Sequence, residues 1–339
     1  MSKHKIWLLL DSSKVGGIES HVLQLAKGLE AHGEAPLVVF LSDYGEHPLH
    51  AQLAQDGISH ITLGGSFLSL CSKLRDDRPS ILHTHGYKAG IFGRLSAWLN
   101  NIPVCSTYHA GEIASGKLAF YDRLDRLTAG FADKVYAVSP QIAERLPGTV
   151  KVSDNFVNTA NLQNSAGKKI AFVGRVSHEK GPDHFACLAA RITDTPFHLY
   201  GDGPQLSALA EHCPDNLHLH GQQNDMDAVW PQIGLLVIPS RYEGLPMAAI
   251  EAMARGIPVL AFCVGALDKL IKNNINGWLV EPENIAQLVK QITAWQKMSA
   301  ADKQCLQCAA QKTIAHKFSS KIAIPKIITN YRKISNKKV

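Results

Sequence analysis

Short apolar runs of the β type alternate with longer amphipathic stretches along most of the chain. Residues 6–10 form one such run; a helical period over residues 17–31 follows, and then another apolar run at residues 37–41. Strands that alternate with helices pair in parallel, and the helices cover both faces of the sheet. The pattern therefore predicts an α/β fold built on doubly wound sheets.

A polar, Asn-rich segment interrupts this alternation at residues 156–169, and a second series begins at residue 170. The composition of residues 156–169 is typical of a linker. A chain of 339 residues also exceeds what one hydrophobic core usually serves. We predict two Rossmann-like domains over residues 1–160 and 165–315. Ligands bind parallel sheets at the carboxyl ends of their strands, so a cleft between two such domains is the expected site.

Composition narrows the class of protein. Hydrophobic residues make up 45% and charged residues 19% of the chain, which is close to the globular average. No apolar run approaches the roughly 20 residues of a membrane span, and the first residues do not resemble a signal peptide.

The seven cysteines are scattered, which suits free thiols in a reducing compartment. We expect a cytoplasmic protein. Cys305 and Cys308 lack a second pair, so we interpret them as neighbours on a helix rather than as zinc ligands.

The net charge of +6 is concentrated towards the end of the chain. Residues 312–339 contain eight Lys and Arg and no acid. Such a stretch is attracted to an anionic membrane surface or to nucleic acid, although the solvated face of a last helix has the same composition. We expect no nucleic-acid partner.

Two cations follow the first strand of the second series. The segment FVGRVSHEKG ends a strand at Gly174 and places Arg175 and Lys180 in the turn that follows. Guanidinium and ammonium groups fixed at a strand end suit a diphosphate. A surface turn with solvated charges is the alternative interpretation.

A second segment, PSRYEGLPMAAIE, places a turn directly before a helix that Pro246 is expected to open. Free backbone N–H groups and the positive end of the helix dipole bind anions, and Gly244 allows close approach of the backbone. Glu243 and Glu251 would reach different parts of one extended ligand. An ordinary capped helix with Glu251 on its surface is the alternative.

Together these segments resemble the family-4 glycosyltransferases of the GT-B fold, whose E-x7-E motif matches Glu243 and Glu251. The resemblance covers most of the chain and implies two Rossmann-like domains facing a central cleft, with the helix at residues 318–339 packed back on the first domain. Its further motifs are GGIESH from Gly16, HTH from His83, TYH from Thr107, AVS from Ala137, YGDGP from Tyr200 and NGWLV from Asn276.

The resemblance also implies roles for individual residues. Arg175 and Lys180 would hold the donor diphosphate, Glu251 the ribose hydroxyls, and Glu243 the donor sugar. Gly16 and Gly17 would close the phosphate pocket, and His109 would lie beside the transferred sugar. The other predicted residues are Gly244, Leu245 and Pro246 on the donor side and His85, Lys88 and Lys117 on the acceptor side.

The implied reaction is retaining transfer from a nucleotide diphosphate sugar, with UDP favoured, to a glycan or a lipid-linked glycan. We expect it in the assembly of bacterial lipopolysaccharide, capsule or exopolysaccharide, in the cytoplasm or at the inner face of the plasma membrane. In such enzymes retention is assigned to front-face displacement, in which the leaving phosphate helps to deprotonate the acceptor and no protein nucleophile is required. Neither a metal nor another cofactor is expected, since cations and helix dipoles stabilise the leaving group.

Other readings of the sequence remain open. A nucleotide-sugar epimerase or hydrolase of the same fold would consume the donor without an acceptor. A non-catalytic binding protein is expected to have lost Arg175, Lys180 or Glu243, and all three are present. Where the family pattern often has a second glycine and a glutamate, this chain reads Gly265-Ala266-Leu267-Asp268, a departure that bears on the contacts to the base.

Two further patterns are weak. The segment GEIASGKL from Gly111 nearly matches a phosphate-binding loop, but Leu118 cannot bind magnesium. With the residues that follow, it instead predicts either a helix packed on the sheet or an amphipathic helix that turns Lys117, Arg123 and Arg126 to lipid phosphates. His83 and His85 are spaced for one side of an extended segment, but no third metal ligand is near them in sequence.

Overall fold

The computed structural model describes residues 4–14, 16–109, 116–160 and 162–336, and the side chains of residues 116–118 lie outside the description. The chain divides into two compact units. Unit 1 comprises Met1–Asn158 and Ser320–Val339, and unit 2 comprises Thr159–Ser319. Each unit has its own parallel sheet covered by helices, as the alternation of apolar runs predicts, which confirms an α/β fold of two Rossmann-like units.

The sheet of unit 1 has seven strands in the order β3-β2-β1-β4-β5-β6-β7, and each pair is parallel. The chain changes direction across the sheet between β1 and β4, which is the place where open parallel sheets bind ligands. The strands are β1 (Lys5–Leu10), β2 (Ala35–Phe40), β3 (His60–Thr62), β4 (Ile81–His85), β5 (Val104–Tyr108), β6 (Lys134–Ala137) and β7 (Val150–Val152).

Helices cover both faces of this sheet, and each face has its own apolar cluster. They are α1 (Gly17–Ala31), α2 (Pro48–Gln55), α3 (Phe67–Asp77), α4 (Tyr87–Leu99), α5 (Gly116–Leu127) and α6 (Pro140–Ala143). The first helix has the predicted bounds. The edge strands β3 and β7 were not predicted, because three residues are too few to give a recognisable pattern.

The last helix, α14 (Ser320–Ser335), belongs to unit 1. Its buried face carries Ile324 and Ile328, which join the apolar cluster of β1 and α1. Gly28 of α1 allows this packing, because a Cβ atom there would lie 2.5 Å from the Ile324 side chain. At the far end, Arg332 donates to the buried carboxylate of Glu34 at 2.9 Å.

Unit 2 has a six-stranded parallel sheet in the order β10-β9-β8-β11-β12-β13. The strands are β8 (Lys169–Val173), β9 (Phe197–Tyr200), β10 (Leu217–Leu219), β11 (Ile233–Ile238), β12 (Val259–Phe262) and β13 (Gly277–Val280). The helices are α7 (Pro182–Arg191), α8 (Leu206–Glu211), α9 (Met226–Val229), α10 (Met247–Ala254), α11 (Leu267–Leu270), α12 (Ile285–Lys297) and α13 (Ala300–Thr313). Among the described residues, no helix has the length and apolarity needed to cross a membrane.

Candidate functional site

The predicted donor residues of unit 2 gather where β8 and β11 end. These strands are neighbours and run in parallel, so the loops that leave them lie side by side. Lys180, in the loop after β8, donates to Oε2 of Glu243, in the loop after β11, at 2.8 Å. The hydroxyl of Ser240 donates to the other carboxylate oxygen at 2.7 Å. The Glu243 side chain is only 4% exposed, so these two bonds fix its orientation.

The same two loops are joined through their backbones. The N–H groups of Arg241 and Tyr242 donate to the carbonyl of Glu179 at 2.9 and 3.2 Å. The guanidinium of Arg241 also binds Asp183, and this hydrogen bond lowers the pKa of the Asp183 carboxyl. Lys180 and Glu243 are thus held by a network that does not depend on their own contact.

Glycines permit close backbone approaches at this edge of the sheet. Gly181 has a φ of 67°, and a Cβ atom there would lie 2.1 Å from the carbonyl oxygen of Pro239. Gly265, with a φ of 62°, lies against the loop of Glu243: its added Cβ would be 2.2 Å from the Glu243 carbonyl oxygen. The sequence alone does not predict this contact, because the two residues are 22 positions apart in the chain.

The remaining donor residues lie on or beside α10. This helix begins at Met247, one residue later than predicted, because Pro246 has an extended ψ of 129° and forms the cap. Leu245 is 2% exposed, so its side chain belongs to the core. Glu251 is the fifth residue of α10 and is half-buried. The carbonyl of Gly244 accepts a backbone hydrogen bond from Ala266 at 2.9 Å. The last predicted donor residue, Arg175, lies away from this helix, exposed in the loop after β8.

In unit 1, four histidines meet at the carboxyl ends of β4 and β5. Nδ1 of His85 lies 3.0 Å from Nε2 of His109, and the ring of His21 from α1 stands 4.8 Å from the His109 ring. Burial lowers the pKa of His21 to about 4 and that of His83 to about 3, and it holds those of His85 and His109 well below their usual range. The imidazoles are therefore neutral at pH 7.

Three of these four histidines form the candidate metal-binding group among the described residues. One ligand atom from each of His21, His85 and His109 lies within 4.8 Å of the others. The sequence pattern singles out only His83 and His85, since His21 lies on α1 and His109 follows β5. Two buried ring nitrogens, Nδ1 of His21 and Nε2 of His85, have no hydrogen-bond partner among the described residues.

The other predicted residues of unit 1 lie on separate elements. Gly16 caps α1 in an extended conformation, with Gly17 next to it, and both are exposed. Lys88 of α4 bonds Ser42 at 2.8 Å and lies 3.4 Å from Asp11, at the ends of β2 and β1. The side chain of Lys117 and residues 111–115 of the near-match to a phosphate loop lie outside the described residues.

Known proteins match both units. Residues 15–156 match the sequence model described as Glycosyltransferase Family 4, and residues 156–312 match the one described as Glycosyl transferases group 1. The chain is 26% identical over 264 residues to the UDP-Gal:alpha-D-GlcNAc-diphosphoundecaprenol alpha-1,3-galactosyltransferase of Escherichia coli, covering 66% of this chain and 68% of that protein. It is 27% identical over 298 residues to an uncharacterised glycosyltransferase of Methanocaldococcus jannaschii, covering 82% and 84%.

Solved structures give the same fold. The crystal structure of Anabaena HepE in complex with UDP-glucose superposes with a TM-score of 0.84 at 20% identity, covering 97% of this chain and 99% of that one. The fold, the two matched sequence models and the relatives agree with the resemblance found in the motifs. The chain belongs to the family-4 glycosyltransferases of the GT-B fold.

Proposed function

We propose that this chain is a retaining, metal-independent glycosyltransferase that uses a nucleotide diphosphate sugar, with UDP as the favoured nucleotide. The observation that carries the proposal is the convergence of Arg175, Lys180 and Glu243 at the ends of two neighbouring strands. Cations placed there stabilise the negative charge that develops on a departing diphosphate.

The contacts of Glu243 and Lys180 favour distinct roles for the two side chains. The carboxylate is buried and accepts from both Ser240 and Lys180, so it suits orientation of the donor sugar rather than nucleophilic attack. An ammonium group has three N–H donors, and Glu243 uses one of those of Lys180. The others suit phosphate oxygens, together with the exposed guanidinium of Arg175.

In unit 1, we assign the sugar contact to His109 and the phosphate contact to Gly16 and Gly17. A neutral imidazole donates or accepts a hydrogen bond without adding a charge, which suits a sugar hydroxyl. A glycine backbone approaches a phosphate closely because it has no side chain. Glu251 is assigned to the ribose hydroxyls through its carboxylate.

For the acceptor we propose a glycan or a lipid-linked glycan in the assembly of bacterial surface polysaccharide. The name of the Escherichia coli relative describes a UDP-galactose donor and a diphosphoundecaprenol-linked acceptor, and the Anabaena structure contains UDP-glucose. Lys321, Lys326 and Lys333 on the exposed face of α14 support a peripheral position at the cytoplasmic face of an anionic membrane.

The first experiment is a thermal-shift panel of nucleotides and nucleotide sugars, because a ligand that binds only the folded state raises its melting temperature. UDP or a UDP-sugar should give the largest shift. Lys180→Ala should lose that shift and lower turnover by about 10²-fold or more. Lys290→Ala, which removes an exposed lysine from α12, is the matched control and should behave as the wild type. A protein whose melting temperature no nucleotide sugar raises would refute the proposal.

Two further measurements test the finer claims. NMR of the product should give the same anomeric configuration as the donor, and inversion would exclude a retaining reaction. Activity should survive dialysis against EDTA. If EDTA abolishes activity and Zn²⁺ restores it, the enzyme needs a metal, and the group of His21, His85 and His109 would be the first place to search.

Consumption of the donor in the absence of any acceptor distinguishes the alternative enzymes. An epimerase or hydrolase would convert the donor alone at its full rate. A glycosyltransferase should convert it slowly until an acceptor is added.

A further inference from the structure

One side chain of unit 2 connects the two donor loops. Arg241 lies in the loop after β11, two residues before Glu243, but its guanidinium contacts the loop after β8. It donates to the carbonyl of His178 at 3.0 Å and to the two carboxylate oxygens of Asp183 at 2.8 and 2.6 Å. His178 precedes Lys180 by two positions, and Asp183 follows it by three. One guanidinium therefore holds the chain on both sides of the ammonium that the proposed function assigns to the diphosphate.

The same guanidinium contacts the buried ring of His184. Nδ1 of His184 lies 2.9 Å from the carbonyl oxygen of Pro239, which only accepts, so Nδ1 carries a proton. In the neutral ring Nε2 is then an acceptor, and Nη2 of Arg241 lies 2.8 Å from it. Oε2 of Glu283 also lies 2.8 Å from Nε2. The ring thus has a partner in either protonation state, Arg241 when it is neutral and Glu283 when it is protonated.

These contacts require an arginine. A planar guanidinium presents its N–H groups in a fixed fork, whereas an ammonium group is a compact point charge that does not match several acceptors in one plane. The bond from Asp183 raises the pKa of the Arg241 guanidinium. The Asp183 side chain is 53% exposed, however, and an ion pair with an exposed acid contributes little to the free energy of unfolding. The contribution of Arg241 is therefore expected in the geometry of the loop rather than in the stability of the fold.

We propose that Arg241 is a positioning residue for glycosyl transfer, which fixes the backbone from which Lys180 reaches the donor diphosphate. All four terminal N–H groups of Arg241 are engaged by His178, Asp183 and His184, so the side chain is not a further phosphate ligand. The inference rests on the proposed function and adds a residue outside the predicted donor set. Its size follows from catalysis in general, where a displacement of about 1 Å in a reacting group costs about 10²-fold in rate.

Release of UDP from UDP-galactose or UDP-glucose, with water in place of the acceptor, measures the departure of the diphosphate directly. Arg241→Gln should lower the kcat of this reaction by about tenfold or more and change the Kd for UDP by less than about threefold. A mobile Lys180 still finds a bound diphosphate, but it no longer meets the charge that develops in the transition state. Unchanged kcat would overturn the proposal. Weaker UDP binding at unchanged kcat would also overturn it, because Arg241 would then contact the donor.

A double-mutant cycle shows whether Arg241 acts through Lys180. The variant R241Q/K180A should be no slower than K180A, because no ammonium is left to position. R241K keeps the charge without the fork and should recover only part of the lost kcat. Losses that multiply in the double variant, or full recovery in R241K, would overturn the positioning role. Arg191→Gln is the matched control, since it removes an exposed arginine from the last turn of α7, and it should behave as the wild type.

Hydrogen exchange tests the loop without any donor. The amides of Lys180 and Gly181 donate to carbonyls three positions earlier at 3.0 and 3.2 Å. In R241Q both amides should exchange about tenfold faster or more, because the loop opens more often, while R191Q leaves them unchanged. Unchanged protection in R241Q would refute the inference.

The two kinds of measurement keep this inference separate from the proposed function. A wild type that neither binds nor cleaves any nucleotide sugar refutes the proposed function, and the catalytic role of Arg241 falls with it. A wild type that cleaves the donor, together with an R241Q variant of equal kcat, refutes the role of Arg241 alone.

Discussion

The hydroxyl of Tyr331 lies 2.6 Å from Nδ1 of His83, and the contact joins the last helix of the chain to strand β4. The other ring nitrogen of His83 lies 2.7 Å from the Thr107 hydroxyl on β5. Both nitrogens of this buried ring are therefore engaged. Because His85 follows two positions later on the same strand, the terminal helix supports the histidine group of unit 1.

Removal of the Tyr331 hydroxyl should destabilise unit 1. Tyr331→Phe leaves Nδ1 of His83 without its partner in a buried position, which costs about 1–3 kcal/mol in the free energy of unfolding. Urea denaturation followed by circular dichroism measures this loss. Tyr44→Phe is the control, because the Tyr44 side chain is exposed and its hydroxyl donates to Asp11. This variant should lose much less free energy of unfolding. Equal losses in the two variants would contradict this reading of the His83 contact.

The buried histidines predict a loss of stability on acidification. His21 has a folded pKa of about 4, lowered by burial, whereas an unfolded histidine titrates near about 6.5. Between these values the unfolded chain binds a proton that the folded chain excludes. Stability should therefore fall as the pH is lowered through this range, by up to about 1.4 kcal/mol per pH unit for each such group.

His21→Leu isolates this effect. The variant removes one titrating group, so its free energy of unfolding should decline less steeply than that of the wild type between pH 6.5 and pH 4. Asp125, whose pKa burial raises to about 6, acts in the opposite direction, but it is present in both proteins and cancels in the difference. Parallel pH profiles would mean that His21 is protonated in the folded protein.

Gly265 should be required for the geometry around Glu243. In Gly265→Ala the new methyl group meets the Glu243 carbonyl oxygen, so the loop must move. We expect a lower melting temperature and at least tenfold weaker UDP binding. Gly221→Ala is the matched control, because Gly221 has a similar φ of 65° with open space where the methyl group would be. If both variants lose the same affinity for UDP, backbone strain at a positive φ causes the loss, and the contact with Glu243 does not.

Neutralisation of Glu243 should separate binding from catalysis. Glu243→Gln keeps the shape of the side chain and the cations at Arg175 and Lys180, so the Kd for UDP should change little. The kcat should fall by about 10²-fold, because the donor sugar loses a charged hydrogen-bond acceptor. Glu211→Gln, at an exposed side chain of α8 in the same unit, should leave kcat unchanged. A loss of UDP affinity without a loss of kcat would assign Glu243 to the nucleotide.

Local sequence was enough to predict the long central elements and the donor motifs. The strands β1 and β8 are apolar runs that the pattern identifies to within a residue, and the cations after β8 stand next to a strand end in sequence. The edge strands β3 and β7 escaped prediction because they are short and only partly buried. Their identity as strands depends on the neighbouring strand that supplies their hydrogen bonds.

Local sequence patterns account for the alternation that produces two parallel sheets and for the residue types that suit a diphosphate. The folded structure brings together residues that lie far apart in the chain: Glu243 with Lys180 and Gly265, and His21 with His85 and His109. The physical reason is that periodicity and propensity act over a few neighbouring residues. Parallel strand pairing, in contrast, brings together the ends of segments that are separated by tens of residues along the chain.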